Sequence, residues 1–297
     1  MGQLKSVFLL FLAAVIWGVA FVAQSVGMEY VGPFTFNMSR FLLGGSVLLP
    51  LALYRRKAEM NKKNEVPSLK ITLIGGICCG LAIFVASTFQ QLGMQYTSVG
   101  KAGFITALYI VIVPVLGIFL HKKVSPVIWI GVLLAIYGFY LLCMTEGFVM
   151  NRGDLLVFLC AVSFSVHILI IDHFAPKADG VALSCIQFFI SGFLSSFPAL
   201  FMEEISLSSL RDAAMPIAYA GIMSCGIAYT LQIVGQAKVK PAIASLVLSL
   251  ESVISVLAGW ILLGEVLTNR QLLGCGLVFL SVILAQLPVK TGTTNIN

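Results

Sequence analysis

The stretch Ala244–Gly259, ASLVLSLESVISVLAG, is apolar or small throughout except for four serines and one carboxylic acid, Glu251. A helix rises ~1.5 Å per residue, so a ~30 Å hydrocarbon layer takes about 20 residues. Extended by a few residues at each end, the stretch is a membrane span with an acid near its middle. Counted from Pro241, Glu251 lies ~15 Å in. Placing an unpaired acid there costs about 2.5 to 3.5 kcal/mol, so it must face a cavity, pair, or sit protonated.

The rest of the chain agrees with that reading. Of its 297 residues 59% are hydrophobic and 10% charged, and the mean hydropathy is +1.03; a soluble domain carries about 25% charged residues. Ten apolar stretches are long enough to cross: 4–23, 33–54, 71–92, 100–120, 127–144, 154–172, 181–202, 216–235, 242–262 and 271–288. They are continuous rather than the ~10-residue alternating segments of a β-barrel. Leu4–Ala23 is followed by nine more such stretches and reads as a retained helix rather than a secretory signal. The gaps leave no room for a soluble domain.

The seven cysteines (78, 79, 143, 160, 185, 225 and 275) fall inside the spans without paired loop spacing and read as small packing residues. The sequon at Asn37 also lies inside a span, where glycosylation is not expected. With the amino terminus placed in the cytoplasm, thirteen basic residues fall inside, including Lys5, Arg55, Arg56, Lys57, Lys62, Lys63, Lys122, Lys123 and Lys290. Four fall outside: Lys101, Arg152, Arg211 and Arg270. This bias predicts both termini in the cytoplasm of a multi-pass cytoplasmic-membrane protein. The +6 net charge then reflects topology and lipid headgroups, and no nucleic-acid partner is expected.

The chain also resembles itself. An offset of 147 lays Ala14–Arg40 over Ala161–Gln187 without a gap, pairing Trp17 with Phe164 and Arg40 with Gln187. An offset of 142 lays TFQQLG (88–93) on TLQIVG (230–235), pairing Gln90 with Gln232 and Tyr109 with Glu251. Each unit holds five spans, an odd number, so the second must be upside down relative to the first. The expected fold is an all-α integral membrane protein of ten transmembrane helices in two inverted five-helix repeats, 1–147 and 148–290, with a short cytoplasmic tail at 291–297.

Three segments carry a resemblance to a known family: AAVIWGVAFVAQSVGMEYVGPFTFNMSRFLLG (13–44), GKAGFITALYIVIVPVLGIFL (100–120) and SLESVISVLAGWILLGEVLTNRQLLGCGLVFLSVIL (249–284). They resemble the EamA-type permeases of the drug/metabolite transporter superfamily. The resemblance covers nearly the whole chain and implies ten helices in two inverted halves that move small organic molecules, often exporting amino acids or other metabolites. Family members often have Glu-Pro where this chain has Glu251-Ser252, which weakens the helix break expected there. The first-half counterpart of Glu265 is Lys123.

At 100° per residue, Ala244, Ser245, Ser249, Ser252, Ser255 and Gly259 share an arc around Glu251. Such a small, hydroxylated face either packs tightly or borders a watery path, and the acid favours the path. Arg40 lies roughly 10 Å deep, within ~5 Å of the level of Glu251 along the bilayer normal; it either pairs with that acid or snorkels to the outer surface. The candidate substrate residues are Trp17, Arg40, Gln90, Tyr109, Phe164, Gln187, Gln232 and Glu251, with Glu251 the proton site and the two aromatics as walls. Gln24, Asn37, Gln91 and His167 are further polar groups within spans. Gly76, Gly80, Gly131, Gly138, Gly274 and Gly276 read as packing positions, and Pro114 as a bend.

No Gly-rich loop ending in Gly-Lys-Ser/Thr is present, which excludes ATP-driven pumping by this chain alone. A secondary transporter without a cofactor or metal is expected; a midplane carboxylate such as Glu251 suits proton coupling, facilitated diffusion would need no proton site, and the sequence does not choose between them. An intramembrane enzyme would need a nucleophile with its base or a metal set within the spans, and His167 stands alone there. A membrane scaffold would leave the buried polar set without a purpose. The partners expected are a small-molecule substrate and the lipid bilayer, with the protein a monomer or homodimer.

Overall fold

The computed structural model describes residues 2–61, 68–97, 99–122, 124–143, 151–263 and 268–286, and every regular element among them is helical. In chain order these are α1 (Gln3–Gly27), α2 (Pro33–Asn61), α3 (Leu69–Met94), α4 (Val99–Ala107), α5 (Tyr109–Phe119), α6 (Pro126–Cys143), α7 (Arg152–Phe174), α8 (Gly180–Met202), α9 (Leu207–Asp212), α10 (Ala214–Ala218), a π-helical stretch (Tyr219–Tyr229), α11 (Thr230–Gln236), α12 (Pro241–Leu248), α13 (Leu250–Leu263) and α14 (Asn269–Gln286). Eight segments are long and apolar enough to cross a membrane; three of these, Ala102–Phe119, Ala214–Gln236 and Pro241–Ala258, run through more than one element. Pro126–Leu141 and Asn269–Leu284 are shorter apolar helices. Each stretch picked out in the sequence falls on one of these segments. The proposed boundary at 147/148, the tail at 291–297, Lys62, Lys63, Lys123, Gly264, Glu265 and Lys290 lie outside the described residues.

The outer faces carry exposed apolar side chains, among them Ile130, Leu133, Leu200 and Phe201. Water would penalise so much exposed apolar surface, whereas lipid covers it. Inside, α2 lies along α8, α3 packs on α7 and α8, α6 on α14, and α1 on α13. Small residues set the close approaches. A Cβ on Gly138 of α6 would come within 2.9 Å of the Gly274 carbonyl oxygen on α14, in keeping with the packing role expected of both. Asn37 is buried and donates to the Ser87 carbonyl (3.3 Å).

The α2–α8 seam is tied at both ends. Just past α8, the Glu203 carboxylate accepts from the Phe34 and Thr35 amides (2.9 and 2.7 Å) in the first turn of α2, where the free N–H groups and the helix dipole favour an anion. At the other end Asp179 caps α8 through the Val181 and Ala182 amides (2.9 and 2.8 Å) and lies 3.7 Å from Arg55 of α2.

Two spans are interrupted near their middles. Leu108 separates α4 from α5 and bonds back three residues, to the Ile105 carbonyl (3.1 Å), while Ser249 separates α12 from α13. Pro114, expected to bend its span, sits inside α5, and the interruption comes six residues earlier. The second interruption is present although Ser252 replaces the family's proline, so a missing proline N–H is not what breaks this helix.

Candidate functional site

The two interruptions flank one contact. Tyr109, the first residue of α5, donates its hydroxyl to Oε1 of Glu251 (2.9 Å), which sits two residues past Ser249. Both side chains are buried, at 4% and 6% exposure. These are the residues that the offset of 142 pairs, so the internal likeness marked a real contact.

Around this contact lies a narrow cavity of about 40 Å³, room for about three water molecules. Trp17, Arg40, Gln90, Tyr109, Phe164, Gln232 and Glu251 all line it, seven of the eight candidates. Gln187 does not. It stands behind the wall and accepts from His167, Nε2 to Oε1, at 3.1 Å. His167, alone in the sequence, thus belongs to the cavity wall with a partner that holds its ring.

Arg40 neither snorkels nor reaches the acid in this conformation. It is 4% exposed; Nε donates to Asn37 Oδ1 (3.0 Å) and Nη1 to Gln24 Oε1 (3.1 Å), and the guanidinium carbon lies 4.7 Å from the centre of the Phe41 ring. Polar partners inside the bundle and an aromatic face replace the headgroups that snorkelling would have sought. Among the described residues no ion pair joins Arg40 to Glu251, although both face the same space.

Aromatic rings form the apolar part of the wall. Trp17 and Tyr229 are tilted with centroids 4.5 Å apart, and His167 meets Tyr229 edge-on at 5.9 Å. Among the described residues twelve buried side-chain polar atoms have no hydrogen-bond partner; eight are spread through the bundle, and the other four are Trp17 Nε1, Thr106 Oγ1, His167 Nδ1 and Gln232 Oε1. Each such atom costs about 1–3 kcal/mol if left dry, and all four belong to residues lining this one cavity. A cluster of that kind suits a site meant to receive polar groups from outside.

The serine face behaves differently from the watery border expected of it. Ser252 donates to the Gly103 carbonyl of α4 (2.9 Å), while Ser245, Ser249 and Ser255 bond to carbonyls of their own helix. All four are buried, and of α12 and α13 only Leu248 and Glu251 reach the cavity. Hydroxyls satisfied by backbone carbonyls allow close packing against α4, so the acid alone was the signal for the cavity.

Sequence reasoning omitted Phe21, Thr106, Ile168, Ser224, Tyr229 and Leu248 from the site and left Gln24 and His167 among the unassigned polar groups. Helical spacing links most of them to chosen residues: Phe21 and Gln24 follow Trp17 by four and seven, His167 follows Phe164 by three, and Tyr229 precedes Gln232 by three. Among the described residues no group of three or more His, Cys, Asp or Glu side chains could hold a metal ion.

The geometry can be set beside known proteins. An uncharacterized transporter of Archaeoglobus fulgidus is 32% identical over 279 residues, 94% of this chain and 84% of that protein. The transporter YwfM of Bacillus subtilis is 28% identical over 98% of this chain and 97% of its own length. An S-adenosylmethionine/S-adenosylhomocysteine transporter of Chlamydia muridarum is 29% identical, over only 34% of this chain and 30% of its own. One crystal structure shares the fold with a TM-score of 0.79 at 18% identity, covering 96% of this chain and 97% of the other. The profile of the EamA-like transporter family matches twice, at residues 4–144 and 151–287. With nearly its whole length matched, and with a polar cavity enclosed by apolar helices, the chain is a multi-pass membrane protein that belongs to the EamA-like transporter family.

Proposed function

We propose that this protein is a secondary transporter that exports small organic metabolites, amino acids or related zwitterions, across the cytoplasmic membrane by alternating access. The observation that carries the reading is the buried Tyr109–Glu251 contact beside a cavity also walled by Arg40. A carboxylate and a guanidinium facing one small space suit a ligand with both an ammonium and a carboxylate. The aromatic wall of Trp17, Phe164 and Tyr229 suits its apolar part. Such a head on a flat base is also the chemistry of the ligand named for the Chlamydia muridarum relative.

In this reading the chain has ten transmembrane helices in two inverted five-helix repeats, 1–147 and 148–290, with both termini and the 291–297 tail in the cytoplasm. The two separate family matches and the Tyr109–Glu251 contact between equivalent positions support it. The cavity is too narrow for a metabolite as it stands, so the halves must part to load it. Glu251 carries the coupling proton: ionised, it holds the substrate ammonium, and protonated, it lets the unloaded carrier reorient without a bare buried charge, delivering that proton to the other side.

The test is transport in proteoliposomes. A panel of amino acids and S-adenosylmethionine, widened by metabolites that accumulate in cells lacking the protein, is loaded with and without a pH gradient. Substrate movement should accelerate under the gradient, and Glu251→Gln should abolish that acceleration. Equal rates with and without the gradient in the unmodified protein would make it a uniporter, and no flux of any panel member would remove the substrate class.

A further inference from the structure

A second, larger cavity of about 460 Å³ opens beside the first, between the ends of α5 and α7 and the α11–α12 turn. Its wall includes Val113, Pro114, Lys122, Asp172, Gln236 and Lys240. Lys122 and Asp172 form an ion pair there, and partial burial pulls the lysine's pKa down.

The relation between the two cavities repeats on three helices. Tyr109 of α5, Ile168 of α7 and Gln232 of α11 line the polar cavity. Val113, Asp172 and Gln236, each four residues further on, line the larger one. Four residues are about one turn, ~5.4 Å along a helix, so a septum one turn thick separates the two spaces. One polar side chain spans it. Gln236, 1% exposed, donates from Nε2 to the Ile168 carbonyl of α7, and its Oε1 accepts from Gln232 (3.4 Å). Its amide therefore ties α11 to α7 across the opening. The backbone beneath it has little freedom: a Cβ on Gly235 would come within 2.9 Å of the Ser6 carbonyl oxygen on α1. Rotation of the Gln236 side chain would release this tie without first lifting α11 off α1.

We infer that the larger cavity is the vestibule of the transport pathway on the side bearing Lys122, and that the Gln236 amide is the gate between it and the polar cavity. This rests on the polar cavity being the transport site. The residue is a positioning one; it holds the passage shut by bonding a backbone carbonyl and does not itself choose the substrate.

Labelling tests the gate without knowledge of the cargo. The seven native cysteines are replaced by serine or alanine and one cysteine is placed by Ser224→Cys, in the polar cavity wall but away from the septum. A membrane-impermeant cationic methanethiosulfonate is then added to vesicles of either orientation. From the Lys122 side, Gln236→Ala should raise the labelling rate by about tenfold or more, with no change from the other side. Gln236→Met keeps the bulk but loses the bond, and should match the alanine variant. Thermal unfolding of each variant confirms that it is folded. If the methionine variant labels like the parent while alanine labels fast, the side chain is a plug and the amide gate is overturned. If both label like the parent, Gln236 is no gate. If Ser224→Cys is unreactive from both sides in every background, the failure lies with the polar cavity as a pathway, and both readings go.

Discussion

Two seams in this molecule pair helices in contrasting ways. Along α2 and α8 the helices are unbroken and tied at each end, by Glu203 on the α2 amides and by Asp179 near Arg55. Where α4 and α5 meet α13 and α12, the helices are broken at Leu108 and Ser249, and the acid sits between the breaks. The first seam is tied at its ends by a cap and an ion pair; the second brings Thr106, Tyr109, Leu248 and Glu251 to the cavity. Irregular backbone at membrane depth is tolerated only when buried in protein or bordering water, and here it adjoins the cavity. In the proposed mechanism the first seam holds and the second exchanges.

Removing the acid should break the exchange seam most severely. Glu251→Gln keeps size and can still accept from Tyr109, so folding should survive, yet flux should fall at least about tenfold, the equivalent of ~1.4 kcal/mol. Near-normal flux of a folded Glu251→Gln protein would show that the charge at this seam is structural.

Arg40→Gln comes next. It removes the donors to Gln24 and Asn37 and leaves buried amides unpaired, at about 1–3 kcal/mol. Both thermal stability and transport should drop, and Arg40→Lys should recover part of the transport, because one ammonium cannot serve both amides in the same geometry. Full transport with lowered stability would reassign Arg40 to holding the fold.

How far the sequence disclosed this arrangement depends on the kind of signal involved. Composition and span length located the helices because crossing hydrocarbon imposes a length and a polarity that few other constraints can mask. Charge at mid-span exposed Glu251 and Arg40 for the same reason. The pairing of Tyr109 with Glu251 was legible only through the internal offset, since nothing in either local sequence names the other. Ser224 was hidden because it lies within a π-helical stretch, where the ordinary 3.6-residue periodicity misplaces faces, whereas Tyr229, at the end of that stretch, lies three residues before Gln232. The orientation of Arg40 was undecidable from depth alone; Asn37 and Gln24 had to be seen beside it. The serine face misled because one pattern serves both close packing and a wet border.

The holding seam should respond in the opposite way to the exchange seam. Glu203→Ala leaves two amides of the first α2 turn uncapped, a loss of about 1 kcal/mol. Melting should come ~2–4 °C earlier, while flux per folded molecule stays at the parent level. A flux change larger than the change in folded fraction would mean that this end of α2–α8 moves during transport.

The smallest effect tests the serine face itself. The Ser252 hydroxyl meets the Gly103 carbonyl, and a Cβ on Gly103 would lie 3.7 Å from that same hydroxyl, an ordinary contact, so the seam has room for a methyl. Ser252→Ala deletes an interhelical hydrogen bond worth ~0.6 kcal/mol and little volume, and should leave transport unchanged within error. Ser252→Leu adds bulk at the same contact, forces α4 and α13 apart and should lower stability by about 1–3 kcal/mol. If alanine alone cuts transport while stability holds, water or substrate reaches this hydroxyl during the cycle, and the serine face belongs to the exchange seam's chemistry as well as to its packing.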